Sequence, residues 1–184
     1  MSNGLLTTFT GRNVDVLNLR SEDICLEDIA HSLALTCRFG GHSKQFYSVA
    51  EHSVRVSYLY KDVNVDPRYL LLHDAAEAYL VDVPRPVKQK IPQFKKIENV
   101  IIDTIMSRYV GDERWMLRET SKLNFDRIKL ADNIMLVTEV RDLMSDSCDV
   151  LLDVDELVER IVPWTWEQAE DMFLVRAGVL GLHD

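Results

Sequence analysis

Three helix starts are written into this chain, and they leave little room for a sheet. Ser48-Val49-Ala50-Glu51 sets a hydroxyl cap three residues before a glutamate, the capping-box pattern. Asp66-Pro67 puts an acidic cap before a proline at the first helical position, where the missing N–H removes no bond. Thr165-Trp166-Glu167-Gln168 repeats the box and leads on to Leu180. From the first start, Val49, Val56, Leu59 and Tyr60 predict an apolar helix face reaching Lys61. The second start predicts a helix that carries Leu70 to Leu72, then His73-Asp74, and stops before Pro84 and Pro86. Phe94, Ile97, Ile101 and Ile105 predict a helix over about 93–109, and further helices are expected over 121–143 and 155–162. The exceptions lie near the beginning. Residues 9–19 alternate loosely around Gly11-Arg12-Asn13, as a short β-hairpin would, and Arg38-Phe39-Gly40-Gly41-His42 is a loop by its glycine pair. With no repeat, low-complexity tract or linker, the expectation is one all-α domain over residues 1–184.

A chain of 184 residues, 47% hydrophobic and 28% charged, can bury a substantial core. Its formal net charge of -9, with no basic stripe or arm, argues against a general nucleic-acid binder. A small anionic substrate is still allowed, since it needs only a local cationic pocket. Cys25, Cys37 and Cys148 are odd in number and lack CxxC spacing, so neither a disulfide framework nor a structural zinc site is expected. Residues 1–10 show no secretory pattern, and no apolar run approaches the roughly 20 residues that span a bilayer. A cytoplasmic protein without a membrane partner is the expectation.

The chemistry concentrates in His73-Asp74-Ala75-Ala76-Glu77, with His52 before it and Asp132 far downstream. Two imidazoles and two carboxylates, from His52, His73, Asp74 and Asp132, make a ligand set for one divalent cation with positions left for substrate. On a continuous helix Glu77 would sit one turn beyond His73, placed for proton transfer. His52 lies nine residues before Lys61, about 14 Å, and His73 six after Pro67, about 9 Å, so antiparallel helices would bring the imidazoles within about 5 Å in height. The bland alternative makes both histidines interior or capping residues. It fits poorly, because Leu70-Leu71-Leu72 followed at once by two polar groups is hard to explain by packing. Asp132 competes with other acids such as Asp126 and Asp142, and its apolar helical setting singles it out. Arg38 offers a planar fork for phosphate oxygens, and Gly40 and Gly41 allow close backbone approach to a ligand. His42 reads equally as a ligand contact or a solvent-facing loop residue, and Lys88 as an added cation or an ordinary surface lysine. Trp115, Trp164 and Trp166 read as core or interface.

In order along the chain, His52, His73-Asp74 and Asp132 resemble the H…HD…D signature of the HD-domain metal-dependent phosphohydrolases. The likeness extends to small bacterial and phage members that act on deoxynucleotides, through residues 37–42, 46–53 and 73–88, and covers roughly residues 23 to 140. It implies an all-helical fold and one required divalent ion (Mn, Co, Zn or Mg), with room for a second, weakly held Mg carried with substrate. It also implies that Glu77 and Asp82 assist catalysis, that Arg38 and Phe39 contact phosphate and sugar, and that the protein is a homo-oligomer. Phe39 stands where those enzymes typically carry tryptophan, and the gap between His52 and His73 is short, so the substrate is left open. Removal of phosphate from a monophosphate and release of triphosphate from a dNTP such as dATP both fit. Hydrolysis of a signalling nucleotide, or a non-catalytic nucleotide sensor on the same helices, are the competing readings.

Overall fold

In the computed structural model, residues 4–111, 118–145 and 152–184 are described. The chain opens with a two-stranded antiparallel hairpin, β1 (Leu6–Thr7) and β2 (Asn13–Val14), which pairs Leu6 with Val14 and Thr7 with Asn13. It is shorter than expected and begins earlier. Asp28 ties it down, accepting from the Thr10 backbone N–H at 2.7 Å and the Thr10 hydroxyl at 2.9 Å. Everything after it is helix and connecting chain, so the all-α expectation with an N-terminal hairpin holds.

Asp28 belongs to α1 (Leu26–Leu35), a helix absent from the sequence expectations. Its signal was available, since Leu26, Ile29, Ala30 and Leu33 recur at helical spacing and are all buried. Next come α2 (Val49–Ser57) and α3 (Tyr60–Val63), not one helix to Lys61. The break lies where Tyr58 and Leu59 donate three residues back, to Arg55 and Val56 carbonyls at 3.1 and 3.0 Å, tightening the turn. Ser48 caps α2 by accepting from the Glu51 N–H at 3.0 Å. Glu51 turns its own carboxylate elsewhere, to Arg55 at 2.8 Å and the Trp164 backbone N–H at 2.8 Å.

The expected Asp66-capped helix is also divided. Asp66 caps α4 (Pro67–Leu72) by accepting from the Arg68 N–H at 2.9 Å, but α4 stops at His73. Chain direction resumes in α5 (Glu77–Leu80), followed by α6 (Arg85–Lys88) and α7 (Pro92–Tyr109). The long α8 (Arg118–Leu143) and α9 (Trp166–Val179) complete the set, the latter capped reciprocally by Thr165 and Gln168 as its sequence predicts. No helix forms over 155–162, contrary to expectation. That segment runs irregularly against α8, where the Leu157 N–H reaches Thr138 Oγ1 at 2.9 Å and the Ile161 N–H reaches Asp142 at 2.8 Å. Its backbone groups find side-chain partners, and this replaces a helical ladder. Trp115 and Cys148 lie outside the described residues.

The core draws on residues from Val14 to Leu182, with Leu70, Leu71 and Leu72 of α4, Ile101 and Ile105 of α7, Met135 of α8 and Phe173 of α9 all fully buried. At its centre α2 packs against α1, α4, α8 and α9. Arg55 is the one residue of α2 that is not buried, so Glu51, His52, Ser53 and Ser57 sit in the interior and need partners there. Among the described residues no helix is long and apolar enough to cross a membrane. Because α2 carries His52, its cap should matter: Ser48→Ala is expected to lower unfolding free energy by about 1 kcal/mol. Urea denaturation followed by circular dichroism checks this.

Candidate metal centre

The turn after α4 sets the geometry of the site. Ala75 and Glu77 donate to the carbonyls of Leu72 and Asp74 at 3.0 and 2.9 Å, three residues back in each case. In such a tightened turn residues three apart eclipse one another. Glu77 therefore lies over Asp74, where the sequence reading had placed it over His73. The tightening leaves His73 and Asp74 side by side at the end of α4, facing α2 and α8.

There the imidazoles of His52 and His73 meet, Nε2 to Nε2, at 3.3 Å. Asp74 Oδ2 stands 3.3 Å from His73 Nε2 and 3.7 Å from His52 Nε2. These three donor atoms lie within 4.8 Å of one another and could hold a metal ion. Asp132, from α8, joins on the His52 side with Oδ1 at 3.4 Å from His52 Nε2. The four residues singled out as metal ligands thus come together from α2, the α4 turn and α8.

The far side of each imidazole fixes its tautomer. His73 Nδ1 meets the Leu70 carbonyl at 2.7 Å, and a carbonyl only accepts, so Nδ1 carries the hydrogen. His52 Nδ1 meets Glu139 Oε1 at 2.6 Å. Burial works to raise the Glu139 carboxyl, but Arg38 and His52 outweigh it and hold the group below its usual range, so it too accepts. Both Nε2 lone pairs then point into the same space as two carboxylates. Four acceptors facing one another repel unless a positive charge lies among them, which is the chemistry of a cation site.

Relatives of this chain were found among known proteins. It is 38% identical over 141 residues to the uncharacterised protein YfdR of Escherichia coli, a match covering 77% of this chain and 73% of that one. The chain belongs to the YfdR family. An uncharacterised Rhodobacter capsulatus protein is 43% identical over 89 residues, 45% of each chain. No family model matches the sequence.

In this YfdR-family chain the pocket's electrostatics are strongly anionic. Burial opposes a charge on His73, yet Asp74 and Asp132 raise its pKa to about 9. Burial likewise opposes ionisation of Asp74, and His73, His52 and Arg38 pull that carboxyl far below its ordinary range. Asp132 is also held low, burial being outweighed chiefly by His52. Glu77 moves the other way: burial, then the charges of Asp74 and Asp82, lift it well above the usual carboxylate range. Its Oε1 meets Lys88 at 3.0 Å, while Oε2 is buried with no hydrogen-bond partner. Asp82 is half-buried and shifted upward by burial and by Asp74, against Arg38 and Lys88. Val81, just before it, has φ 64 and ψ 163, a region otherwise nearly confined to glycine, and this sharp reversal turns the chain back toward the site.

The substrate-side residues divide. Arg38 is well buried, its guanidinium 3.0 Å from Glu139 and 3.5 Å from Asp74. It is anchored to the entry of α2, since its N–H donates to the Tyr47 carbonyl at 2.9 Å. Phe39 follows in left-handed backbone (φ 57), its ring 5.4 Å from the Arg38 guanidinium carbon. His42 remains exposed at the end of that turn. Lys88 sits between Glu77 at 3.0 Å and Glu98 at 2.6 Å, so it acts as Glu77's partner.

Two residues escaped the sequence reading. Glu139 is fully buried and joins His52 to Arg38; it lies seven residues, two helical turns, beyond Asp132, and that shared face was the signal. Arg85, on the rim, places a guanidinium nitrogen 2.9 Å from Asp132 Oδ2.

Because Glu139 orients His52, Glu139→Gln should weaken Mn²⁺ affinity about 10- to 100-fold, read by isothermal titration calorimetry. His73 binds its extra proton below about pH 9, and a metal must displace it. Apparent Mn²⁺ affinity should therefore rise with pH, by about tenfold per unit below that value, and level off above it.

Proposed function

We propose that this chain is a metal-dependent phosphohydrolase that cleaves deoxynucleotides at the 5′-phosphate. Its products would be a deoxynucleoside with phosphate from a monophosphate, or with triphosphate from a dNTP such as dATP. The observation that carries the reading is the meeting of His52, His73, Asp74 and Asp132 beside the buried, partnerless oxygen of Glu77. A divalent cation among those donors would acidify water and neutralise charge developing on the phosphoryl group.

The side chains divide the remaining work. Glu77, kept protonated by burial and by Asp74, holds a proton at neutral pH for the departing 5′-oxygen as its bond to phosphorus breaks. Lys88 fixes the rotamer of Glu77 through Oε1 and leaves Oε2 toward the reaction. Asp82 adds negative charge beside Glu77 and so helps keep that proton in place. Arg38 orients phosphate oxygens from the Asp74 side, with Phe39 beneath its guanidinium as an apolar face for the sugar. We place the enzyme in the cytoplasm, as a homo-oligomer acting on a small molecule, without a nucleic-acid polymer or membrane as partner. Cys25 and Cys37, both free thiols, fit a reducing compartment.

A panel of deoxynucleoside mono- and triphosphates tests the reading on protein stripped with chelator and restored with Mn²⁺, Co²⁺ or Mg²⁺. Release of orthophosphate or of triphosphate, restored by metal, is the expected result, and which product appears decides between the two substrate classes. Asp74→Ala should lose metal binding and turnover together. Glu77→Gln should keep the metal and lose turnover by roughly 10²- to 10⁴-fold. Metal-independent nucleotide binding without turnover would make the protein a sensor instead.

A further inference from the structure

Three cationic side chains border the donor cluster, and they are not equally available. Arg38 is only 11% exposed and divides its guanidinium between Glu139 and Asp74. Lys88 is 23% exposed and held between two carboxylates, Glu77 and Glu98. Arg85 differs from both. Its side chain is 50% exposed, and its one hydrogen bond among the described residues is from a single guanidinium nitrogen to Asp132 Oδ2 at 2.9 Å. A guanidinium has five N–H donors, so most of this one is open at the mouth of the site.

The backbone beneath Arg85 is unusually fixed for a surface segment. Pro84 and Pro86 flank it, and Val87 and Lys88 donate to the Pro84 carbonyl at 2.8 and 3.1 Å. Proline on either side restricts the chain before any ligand arrives, which lowers the ordering cost of using the side chain for binding. The contact with Asp132 also fixes direction. Asp132 presents Oδ1 to His52 and Oδ2 to Arg85, so its carboxylate joins the donor cluster directly to the rim guanidinium. The two carboxylates of the cluster are thereby matched with two arginines, Asp74 with Arg38 from within and Asp132 with Arg85 from outside.

We propose that Arg85 is the rim anchor for the substrate's phosphate, gripping it from the Asp132 side as Arg38 does from the Asp74 side. The inference rests on the phosphohydrolase reading of the same site and adds a binding residue to it. One N–H stays on Asp132 while the outward donors take phosphate oxygens, a charge-assisted contact suited to a planar fork. An arginine that merely oriented Asp132 would act on the metal instead, and the two roles give different measurements.

The test uses the full chain as wild type, Arg85→Ala and Arg85→Lys. Calorimetry measures Mn²⁺ binding to each protein, then inorganic phosphate binding to each Mn²⁺-loaded protein, and steady-state assays give KM and kcat on the deoxynucleotide panel. For Arg85→Ala the proposal expects Mn²⁺ affinity kept or tightened, since Asp132 loses a competing cation. Phosphate dissociation constant and KM should rise roughly 10- to 100-fold, with kcat much less affected and Arg85→Lys recovering part of the loss. Unchanged phosphate affinity in Arg85→Ala, with or without weakened Mn²⁺ binding, overturns the anchor role and leaves the phosphohydrolase reading standing. A wild-type protein that binds phosphate but turns over no nucleotide sinks that reading, while the Arg85 comparison still decides the anchor. Wild type that binds no phosphate at all overturns the anchor outright.

Discussion

The contact on which the site depends is the 2.6 Å hydrogen bond between His52 and Glu139 in the fully buried interior. Neither residue could remain there alone: a bare carboxylate in an apolar core is strongly disfavoured, and a lone imidazole would leave donors or acceptors unmet. Arg38 completes the balance from the other oxygen of Glu139 at 3.0 Å. This chain of three groups has two consequences. It forces α2 and α8 into one register, and it aims the second nitrogen of His52 toward His73 and Asp74. The polar interior of α2, which looks like a defect by hydropathy alone, is therefore what holds the donor cluster in shape.

The second constraint is local. A regular helix through His73 and Asp74 would continue the α4 ladder; the chain tightens there into three-residue turns and resumes as α5. That change moves Glu77 over Asp74, and proximity to a carboxylate adds to burial in keeping a proton on Glu77. The reversal at Val81 then returns Asp82 and Arg85 to the same side. Left-handed backbone at Phe39 and unfavourable φ at Val81 bracket the site in sequence. Strain of this kind persists only where surrounding contacts hold it.

Helix starts were legible because a cap is a local event: Ser48, Asp66 and Thr165 each accept from an N–H two or three residues on, and neighbouring sequence suffices to show it. Helix interruptions were not, because apolar spacing is the same on both sides of Tyr58 and of His73 while the break is made by packing. The 155–162 segment failed for a related reason. Its backbone is satisfied by Thr138 and Asp142, partners distant in sequence. Of the site, the residues with a motif were visible: His52, His73, Asp74, Glu77 and Asp132. Glu139 carries no motif of its own and becomes visible only once α2 and α8 are known to touch.

That irregular stretch is more than a connection between α8 and α9. Leu157 is held by Thr138, the neighbour of Glu139, and Trp164 by Glu51, the neighbour of His52. Its anchors are thus set one residue away from the two ends of the buried imidazole–carboxylate bond. Opening of this strap would release both helices at the level of the cluster, so the tail and the site form a single cooperative unit of local unfolding. A protease nick there would be felt at the cation pocket before it reached the rest of the core.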